Sequence, residues 1–333
     1  MEPDRGARSG RPEQDSSHSG PALGIVQPRS LPAAELGRFA RRVEELGFDE
    51  LWVVEDLTFH GGVAQAATAL AVTERIRVGL GIAPAAARNP AFLAMEAATL
   101  AGLHPGRLTL GIGHGMPGWM RQVGAWPASP LTLLEETIVA VHDLLHGRSV
   151  TTVGRYVRLD GVRLAAPPAV PPPVVAGVRG PRSLALAGRV ADGTVLAEPV
   201  TPAYLTAALG QIAATRPHTM AAFTPAVVDD DRERARIAVR PGLAWVGEPD
   251  GAVHLTGLPF AADLAALRAA CPDPAVFAAA LPDAWVDELA VVGPPDVARG
   301  RLGALHAAGA STVVLAPLGA DPFDALEALA RVR

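Results

Sequence analysis

Residues Arg75–Met116 read RIRVGLGIAPAAARNPAFLAMEAATLAGLHPGRLTLGIGHGM, and their pattern decides the fold. Two short apolar runs, each ending in Gly-x-Gly, bracket one helical run, and a loop with Arg88 and Asn89 joins the first run to the helix. Glycine tolerates positive φ without cost, so a glycine turn at a strand end suits a ligand pressed against the backbone. The stretch predicts an α/β protein with a cofactor site at the carboxyl ends of parallel strands.

The same alternation of strand and helix continues along the chain. Eight right-handed βα units close naturally into a barrel, so we predict a (β/α)8 TIM barrel with insertions. An open doubly wound sheet is the alternative, but the first βα unit lacks the GxGxxG that a dinucleotide fold would need there. The eight predicted strands are Ala22–Gln27, Glu50–Glu55, Ile76–Ile82, Arg107–Gly113, Pro173–Val178, Gly193–Glu198, Thr219–Val228 and Ser311–Pro317.

Three segments differ from the barrel repeat. Residues 1–20 are polar and lack the apolar stretch of a secretory signal, so we predict a disordered leader before one domain, residues 21–333. Residues 147–172 alternate like a hairpin, and residues 249–289 are rich in Ala, Asp and Pro; both are predicted insertions. Between the seventh strand and the second insertion, a helix is predicted through Asp231–Val246.

Composition excludes several kinds of function. The 333 residues are 49% hydrophobic, enough for a large core, and the net charge of -5 does not favour nucleic-acid binding. All 29 basic residues are arginine, which excludes a Schiff-base lysine and the lysine of a phosphate loop. Cys271 is the single cysteine and the nine histidines are scattered, so no metal is expected. The sequence has no apolar run of 18 residues, so no membrane span is predicted. The cytoplasm is the expected location.

The strongest candidate anion site is the segment Gly177-Val178-Arg179-Gly180-Pro181, which follows the fifth predicted strand. The two glycines allow backbone amides to face a ligand, and Pro181 suits the first position of a helix, whose start carries partial positive charge. Arg179 adds a bidentate donor. The alternative is an ordinary Gly-Pro turn before a helix.

Two carboxylates and a histidine follow other strands. Glu55 and Asp56 lie at one strand end, where one carboxylate can orient a ligand and the other can transfer a proton. A solvated acidic loop is the alternative. His114 follows the glycines of the fourth strand and is a candidate acid or donor to an anionic ring, with a satisfied loop histidine as the alternative.

Three further residues are candidates for substrate binding. Trp119 and Arg121 lie beyond the fourth strand, where an indole and a guanidinium suit a planar, anionic partner. A tryptophan in a half-buried helix is the alternative interpretation. Glu198 ends the sixth predicted strand and therefore faces the same edge of the barrel.

Several blocks together resemble the bacterial luciferase-like superfamily. The resemblance covers about residues 22–332 and is most like the branch of deazaflavin-dependent reductases related to methylenetetrahydromethanopterin reductase. The blocks are LGFDELWVVED, the stretch quoted first, GWMRQVGA, SPLTLLEE and GPRSLALAGRVADGTVL.

The resemblance implies a flavin, or the deazaflavin coenzyme F420, at the carboxyl face of the barrel. It implies a non-prolyl cis peptide at Gly81-Ile82, in a bulge that backs the central ring, with the GPR segment at the cofactor phosphate. The implied cofactor residues are thus Gly81, Ile82, Gly113 and 177–181. Many relatives carry a histidine directly after the acid of the second strand, whereas this chain carries Asp56 there.

The resemblance implies hydride transfer between reduced F420 and a small organic substrate, in which the cofactor carries the difficult chemistry. Asp56, or a water held by Glu55, would supply the proton. One alternative is an FMN-dependent monooxygenase that uses O2, and another is a non-catalytic flavin-binding barrel. A third is a sugar or amino-acid enzyme that uses the two carboxylates without a cofactor. A small-molecule substrate and possibly a second copy of the chain are the expected partners.

Overall fold

The computed structural model describes residues 22–333, so the predicted leader, residues 1–20, lies outside the described part. Eight parallel strands form a closed ring in the order β1-β2-β3-β4-β7-β8-β9-β11, because β11 pairs with β1 and β8 pairs with β9. The predicted TIM barrel is therefore confirmed and the open sheet is excluded. Its strands are β1 (Ala22–Val26), β2 (Glu50–Val53), β3 (Arg77–Pro84), β4 (Leu108–Gly113), β7 (Val174–Gly177), β8 (Gly193–Leu196), β9 (Thr219–Val228) and β11 (Thr312–Pro317).

Three further strands of residues 22–333 lie outside this ring. β5 (Val150–Val153) and β6 (Arg158–Val162) form an antiparallel pair within the first predicted insertion. β10 (Val291–Gly293) pairs with the carboxyl end of β9.

The helices cover the outside of the barrel. They are α1 (Leu36–Glu45), α2 (Gly62–Val72), α3 (Pro90–Leu103), α4 (Pro117–Gln122), α5 (Pro130–Leu145), α6 (Pro181–Val190), α7 (Pro202–Ile212), α8 (Arg232–Val239), α9 (Ala261–Ala270), α10 (Pro274–Ala280), α11 (Asp283–Leu289), α12 (Pro295–Ala307) and α13 (Pro322–Ala330). Short 3-10 helices cover Ala33–Glu35, Arg240–Leu243 and Pro249–Leu255. None of the helices in residues 22–333 is both long enough and apolar enough to cross a bilayer.

One predicted helix boundary is wrong. The helix predicted through Asp231–Val246 ends at Val239 and continues as the 3-10 turn Arg240–Leu243. Pro241 has no N–H to donate to an earlier carbonyl, and its ring clashes with an α-helical preceding turn, so the α-helix stops before it. At the start of α8, the Asp231 side chain accepts from two backbone amides, which makes it the N-cap.

The barrel has an outer core between strands and helices and a small inner core. The inner core is built around Trp52 and Phe223, both 3% exposed, whose rings meet edge to face with centroids 5.5 Å apart. Such an aromatic pair contributes about 0.5–1.5 kcal/mol beyond its area burial. The indole N–H of Trp52 donates to Glu50 at 2.8 Å, so its polar atom is satisfied. The inner core closes the barrel beneath the carboxyl ends of the strands, where ligands can bind.

Candidate functional site

A bulge at the end of β3 lies at the centre of the candidate site. The Gly81-Ile82 peptide bond is cis, as the family resemblance implied. The pairing of β3 with β4 shifts between Leu80 and Ala83, so the two residues of the cis bond leave the regular ladder. The bulge therefore turns the backbone of Gly81 and Ile82 toward the mouth of the barrel.

The side chain of Ile82 lies in a cradle made by glycines of the neighbouring strands. A Cβ on Gly177 would stand 2.3 Å from Ile82 Cγ2, and a Cβ on Gly113 would stand 2.9 Å from Ile82 Cγ1. On Gly111 it would stand 3.0 Å from Ile82 Cγ2. Gly113 and Gly177 were proposed from the sequence as cofactor residues. In the structure, their lack of a side chain leaves space for Ile82 in the bulge.

Aromatic rings support the bulge from below. A Cβ on Gly81 would lie 3.0 Å from Trp52 and 3.3 Å from Phe223, and one on Gly79 would lie 2.3 Å from Trp52. The rings fix the level of the Gly81-Ile82 backbone. The result is a firm apolar floor at the mouth, suited to the face of a planar ring.

The predicted anion segment lies beside this floor. Gly180 is the N-cap of α6 and makes no side-chain cap, Pro181 is the first residue of that helix, and a Cβ on Gly180 would meet no atom within 4 Å. Val178 is buried and its amide donates to the Val195 carbonyl at 3.3 Å. Because the start of α6 is open and uncapped, its amides are available to an anion.

Arg179 brings a positive charge to this rim. The Tyr204 hydroxyl donates to the Arg179 carbonyl at 3.2 Å, and the guanidinium contacts Met116 Sδ at 3.5 Å. Within residues 22–333 no carboxylate forms an ion pair with Arg179. The guanidinium therefore remains available, and the residues present fit a phosphate-bearing cofactor.

His114 contacts the anion segment. Its Nε2 lies 2.9 Å from the Ser183 hydroxyl in the first turn of α6, while Nδ1 is buried without a hydrogen-bond partner in the described chain. Burial lowers the pKa of His114, the charge of Arg179 lowers it further, and the nearby Pro130 carbonyl acts in the opposite direction. The neutral imidazole is favoured, which suits a role in positioning Ser183 better than a role as an acid.

Glu55 and Arg88 form an ion-pair clamp. The two carboxylate oxygens of Glu55 accept from Arg88 Nη1 at 2.8 Å and Arg88 Nη2 at 3.1 Å, and one of them also accepts from the Gly62 amide at 2.9 Å. A bidentate, charge-assisted pair of this kind fixes both residues. The clamp joins the end of β2 to the loop after β3 and to the start of α2.

Asp56 has a different partner. Its carboxylate accepts from Arg29 Nη1 at 3.0 Å, and the Arg29 guanidinium also lies over the Phe59 ring, 5.0 Å from its centroid. Arg29 follows β1, so this pair links the ends of β1 and β2 at the rim. The Arg29 side chain is more than half exposed, so the pair contributes little to stability.

Glu198 lies just beyond β8, on the side of the barrel mouth opposite Asp56. It is partly accessible because the mouth is open, yet protein atoms surround it closely enough for desolvation to raise the pKa of its carboxyl group. Asp56 raises that pKa further, whereas the Glu198 backbone amide, Arg29 and Arg179 oppose the shift.

The two remaining candidates lie on α4. Trp119 is half-buried, and Arg121 is exposed with its guanidinium 5.4 Å from the centroid of the Trp126 ring. Arg121 thus contacts Trp126, in the loop after α4, rather than the anion segment.

Sequence reasoning missed several partners of the predicted residues. They were missed because each pairing joins distant positions: 27 residues for Arg29 and Asp56, 33 for Arg88 and Glu55, and 69 for Ser183 and His114. A positional signal existed, since Arg29 lies beyond the end of β1 and Ser183 lies in the GPRS motif. Among residues 22–333, no three His, Cys, Asp or Glu side chains are grouped to hold a metal ion.

Comparisons with known proteins agree with this architecture. The family model described as luciferase-like monooxygenase matches residues 11–312. The chain is 28% identical to the 5,10-methylenetetrahydromethanopterin reductase of Methanolobus tindarius, over 93% of this chain and 98% of the relative. It is 33% identical to the F420-dependent glucose-6-phosphate dehydrogenase of Nakamurella multipartita, over 52% of this chain and 55% of the relative.

A solved structure shares the fold. The coenzyme F420 dependent tetrahydromethanopterin reductase from Methanopyrus kandleri superimposes with a TM-score of 0.80 at 22% identity, and the match covers 93% of this chain and 97% of that chain.

Proposed function

The chain belongs to the luciferase-like monooxygenase family, and from this membership we propose that it is an oxidoreductase that uses the deazaflavin coenzyme F420. The proposed reaction is hydride transfer between reduced F420 and a small organic substrate. The observation that carries the proposal is the combination at the barrel mouth: the floor at Gly81-Ile82 stands beside the unpaired Arg179 and the open start of α6. The F420-dependent relative supports the choice of cofactor.

In this proposal the chain divides cofactor binding between two parts of the mouth. Gly81 and Ile82 lie against one face of the ring. Gly113 and Gly177 have no side chain and so leave space for Ile82. The phosphate site is formed by Gly177, Val178, Arg179, Gly180 and Pro181. Its donors are the free backbone amides at the open start of α6 and the Arg179 guanidinium, while Pro181 begins that helix and has no N–H to donate. The cofactor, when bound, supplies a hydride donor or acceptor, and the protein supplies orientation and shielding from water.

The polar residues have roles around that ring. Glu55 positions the loop after β3 through Arg88, and His114 positions Ser183. Asp56 and Glu198 face the substrate side, where a proton must be held. Trp119 and Arg121 are proposed to contact the substrate from α4.

An FMN-dependent monooxygenase that uses O2 is the second candidate, because the matching family model is described as luciferase-like monooxygenase. The same floor and anion segment would accept FMN, whose ring and phosphate have a similar layout. The reactions differ in their need for oxygen, which makes them separable by experiment.

The proposed partners are a small-molecule substrate and a second copy of this chain. α3 carries a single charged residue, Glu96, and its outward side chains Phe92, Met95 and Leu103 are 64%, 52% and 68% exposed. A helix that is apolar on nearly every face is normally covered. We therefore propose that α3 packs against a copy of itself in a homodimer.

We also propose that residues 21–333 act as one domain in which the segments 147–172 and 249–289 border the substrate pocket.

The test of the reaction is turnover under controlled oxygen. Reduced F420 is mixed anaerobically with the protein and with a panel of small ketones, aldehydes and imines, and recovery of the absorbance of oxidised F420 is followed. Oxidation that depends on one panel member and proceeds without O2 supports the proposal. Product formation that requires both reduced FMN and O2 identifies the monooxygenase instead.

A further inference from the structure

We infer that Glu198 is the residue that gives the proton to the substrate heteroatom, while Asp56 stays paired with Arg29 opposite it. The inference rests on the proposed function, because it names the proton donor of that reaction. Glu198 is favoured as the proton donor by its place in the barrel and by its lack of an ionic partner. The other two carboxylates, Glu55 and Asp56, each have one.

The place of Glu198 follows from the barrel order. From β2, the ring reaches β8 through β3, β4 and β7 in one direction and through β1, β11 and β9 in the other. Asp56 follows β2 and Glu198 follows β8, so the two carboxylates start from opposite sides of the mouth. Both residues follow the carboxyl ends of their strands and thus lie at the mouth, and the Asp56 carboxylate raises the pKa of Glu198. A ligand at the centre of the mouth lies between them.

The other two carboxylates at the mouth have ionic partners. Glu55 accepts from both terminal nitrogens of Arg88 and from the Gly62 amide. Asp56 forms an ion pair with Arg29 through one carboxylate oxygen. In residues 22–333 no side chain forms an ion pair with Glu198.

The charges around Glu198 agree with this assignment. Desolvation and the Asp56 carboxylate favour the protonated carboxyl, while Arg29 and Arg179 oppose them, and the net result is a raised pKa. Three titratable residues also surround Arg179. His114 and His254 add no positive charge near neutral pH because burial lowers their pKa, and Tyr204 adds no negative charge because burial raises its pKa.

The step balances with a reduced deazaflavin as the named co-reactant. The carbon of a C=O or C=N bond gains a hydride, its π bond breaks, and the oxygen or nitrogen takes the Glu198 proton. The substrate is reduced by two electrons, the co-reactant is oxidised by two, and the Glu198 carboxylate regains a proton from water. In the reverse direction the same carboxylate accepts the proton.

The first test needs no cofactor. Infrared spectra of the protein are recorded from about pH 4 to about pH 8, a range chosen to include a raised glutamate pKa. We expect a protonated-carboxyl band that persists above the usual titration range of glutamate and is missing in Glu198→Gln. In Asp56→Asn the band should disappear at lower pH, because a like charge has been removed. Glu135→Gln, at an exposed surface position, is the matched control and should keep the band.

The second test measures reduction of acetone, benzaldehyde and 1-pyrroline by reduced F420. We expect Glu198→Gln to bind F420 within about threefold of the unaltered protein and to lose turnover by on the order of 10²-fold or more. Its remaining activity should lack the decline at high pH that the unaltered protein shows. Glu135→Gln should be unchanged.

Three results would overturn the inference. They are unchanged turnover in Glu198→Gln, a larger loss in Asp56→Asn than in Glu198→Gln, and the absence of a band that depends on Glu198. If the unaltered protein reduces no probe, the proposed function fails and Glu198 loses its role as donor with it. The infrared result then shows whether the carboxyl was protonated, so the two failures are distinguishable.

Discussion

The side chain of Ile82 occupies the space that a side chain on Gly177 would need, since a Cβ there would lie 2.3 Å from Ile82 Cγ2. Ile82 belongs to the bulge at the end of β3, and Gly177 ends β7 and begins the anion segment. The two are not adjacent in the barrel, because β4 lies between their strands. One contact therefore ties the floor under the proposed ring to the proposed phosphate site.

Gly177→Ala is expected to destabilise the protein by about 1–3 kcal/mol, because the added methyl group overpacks the bulge. F420 affinity should also fall, since the floor must shift. Urea unfolding and ligand titration measure the two effects. Gly180→Ala is the control for stability, because a Cβ there meets no atom within 4 Å. If the destabilisation comes from this contact, Ile82→Ala in the Gly177→Ala background should restore part of the lost stability. Equal effects of the two glycine substitutions would contradict this interpretation.

Arg88→Met should lower the free energy of unfolding by about 1–3 kcal/mol, because it leaves the carboxylate of Glu55 unpaired in a site where its side chain is only 15% exposed. Adding Glu55→Gln should recover part of that loss, since the uncompensated charge is then gone. Urea unfolding of both variants measures the effect. Arg148→Met, which removes a surface ion pair, is the comparison and should cost less than about 1 kcal/mol. A loss for Arg88→Met no greater than that of the comparison would show that the clamp does not stabilise the fold.

Acid should destabilise the protein through His254, which is 0% exposed and packs against the rings of Tyr204 and Trp245. Burial lowers its pKa from 6.5 to about 4. Between those values the unfolded chain binds a proton that the folded chain excludes. The free energy of unfolding therefore falls as the pH falls through this window, by up to about 3 kcal/mol.

Urea unfolding at several pH values tests this dependence on His254. His254→Gln cannot titrate there and should show a shallower pH dependence, whereas His146→Gln, at an exposed position, should keep the original slope. The same slope in all three proteins would exclude His254 as the cause.

Phe92→Glu on α3 is expected to convert the proposed dimer to a monomer, because it places charge in an apolar interface. Light scattering after size-exclusion chromatography reports the mass. Val153→Glu changes another exposed apolar residue, 83% exposed on β5, and should leave the dimer intact. A monomeric unaltered protein, or a dimer that survives Phe92→Glu, would contradict the proposal.

The barrel could be predicted because its signals are local. The apolar run Thr219–Val228 has the same bounds in the sequence prediction and in β9. β2 ends at Val53 rather than at the predicted Glu55, because Glu55 leaves the ladder for Arg88. Pro241 stops α8 early for a backbone reason that the sequence contained.

The site was harder to predict because its contacts are not local. The cis bond at Gly81-Ile82 was expected only from resemblance, since no periodicity marks it. The pairs of Asp56 with Arg29 and of His114 with Ser183 depend on how the strand ends meet at the mouth. Only those contacts show which carboxylates form ion pairs and which does not.

We propose above all that the mouth of this barrel binds a deazaflavin in preference to FMN. The most direct measurement is a pair of titrations of the purified protein, one with F420 and one with FMN, followed by fluorescence quenching. We predict a dissociation constant for F420 at least about tenfold below that for FMN, a difference of about 1.4 kcal/mol. Tight binding of FMN with weak or absent binding of F420 would contradict the claim.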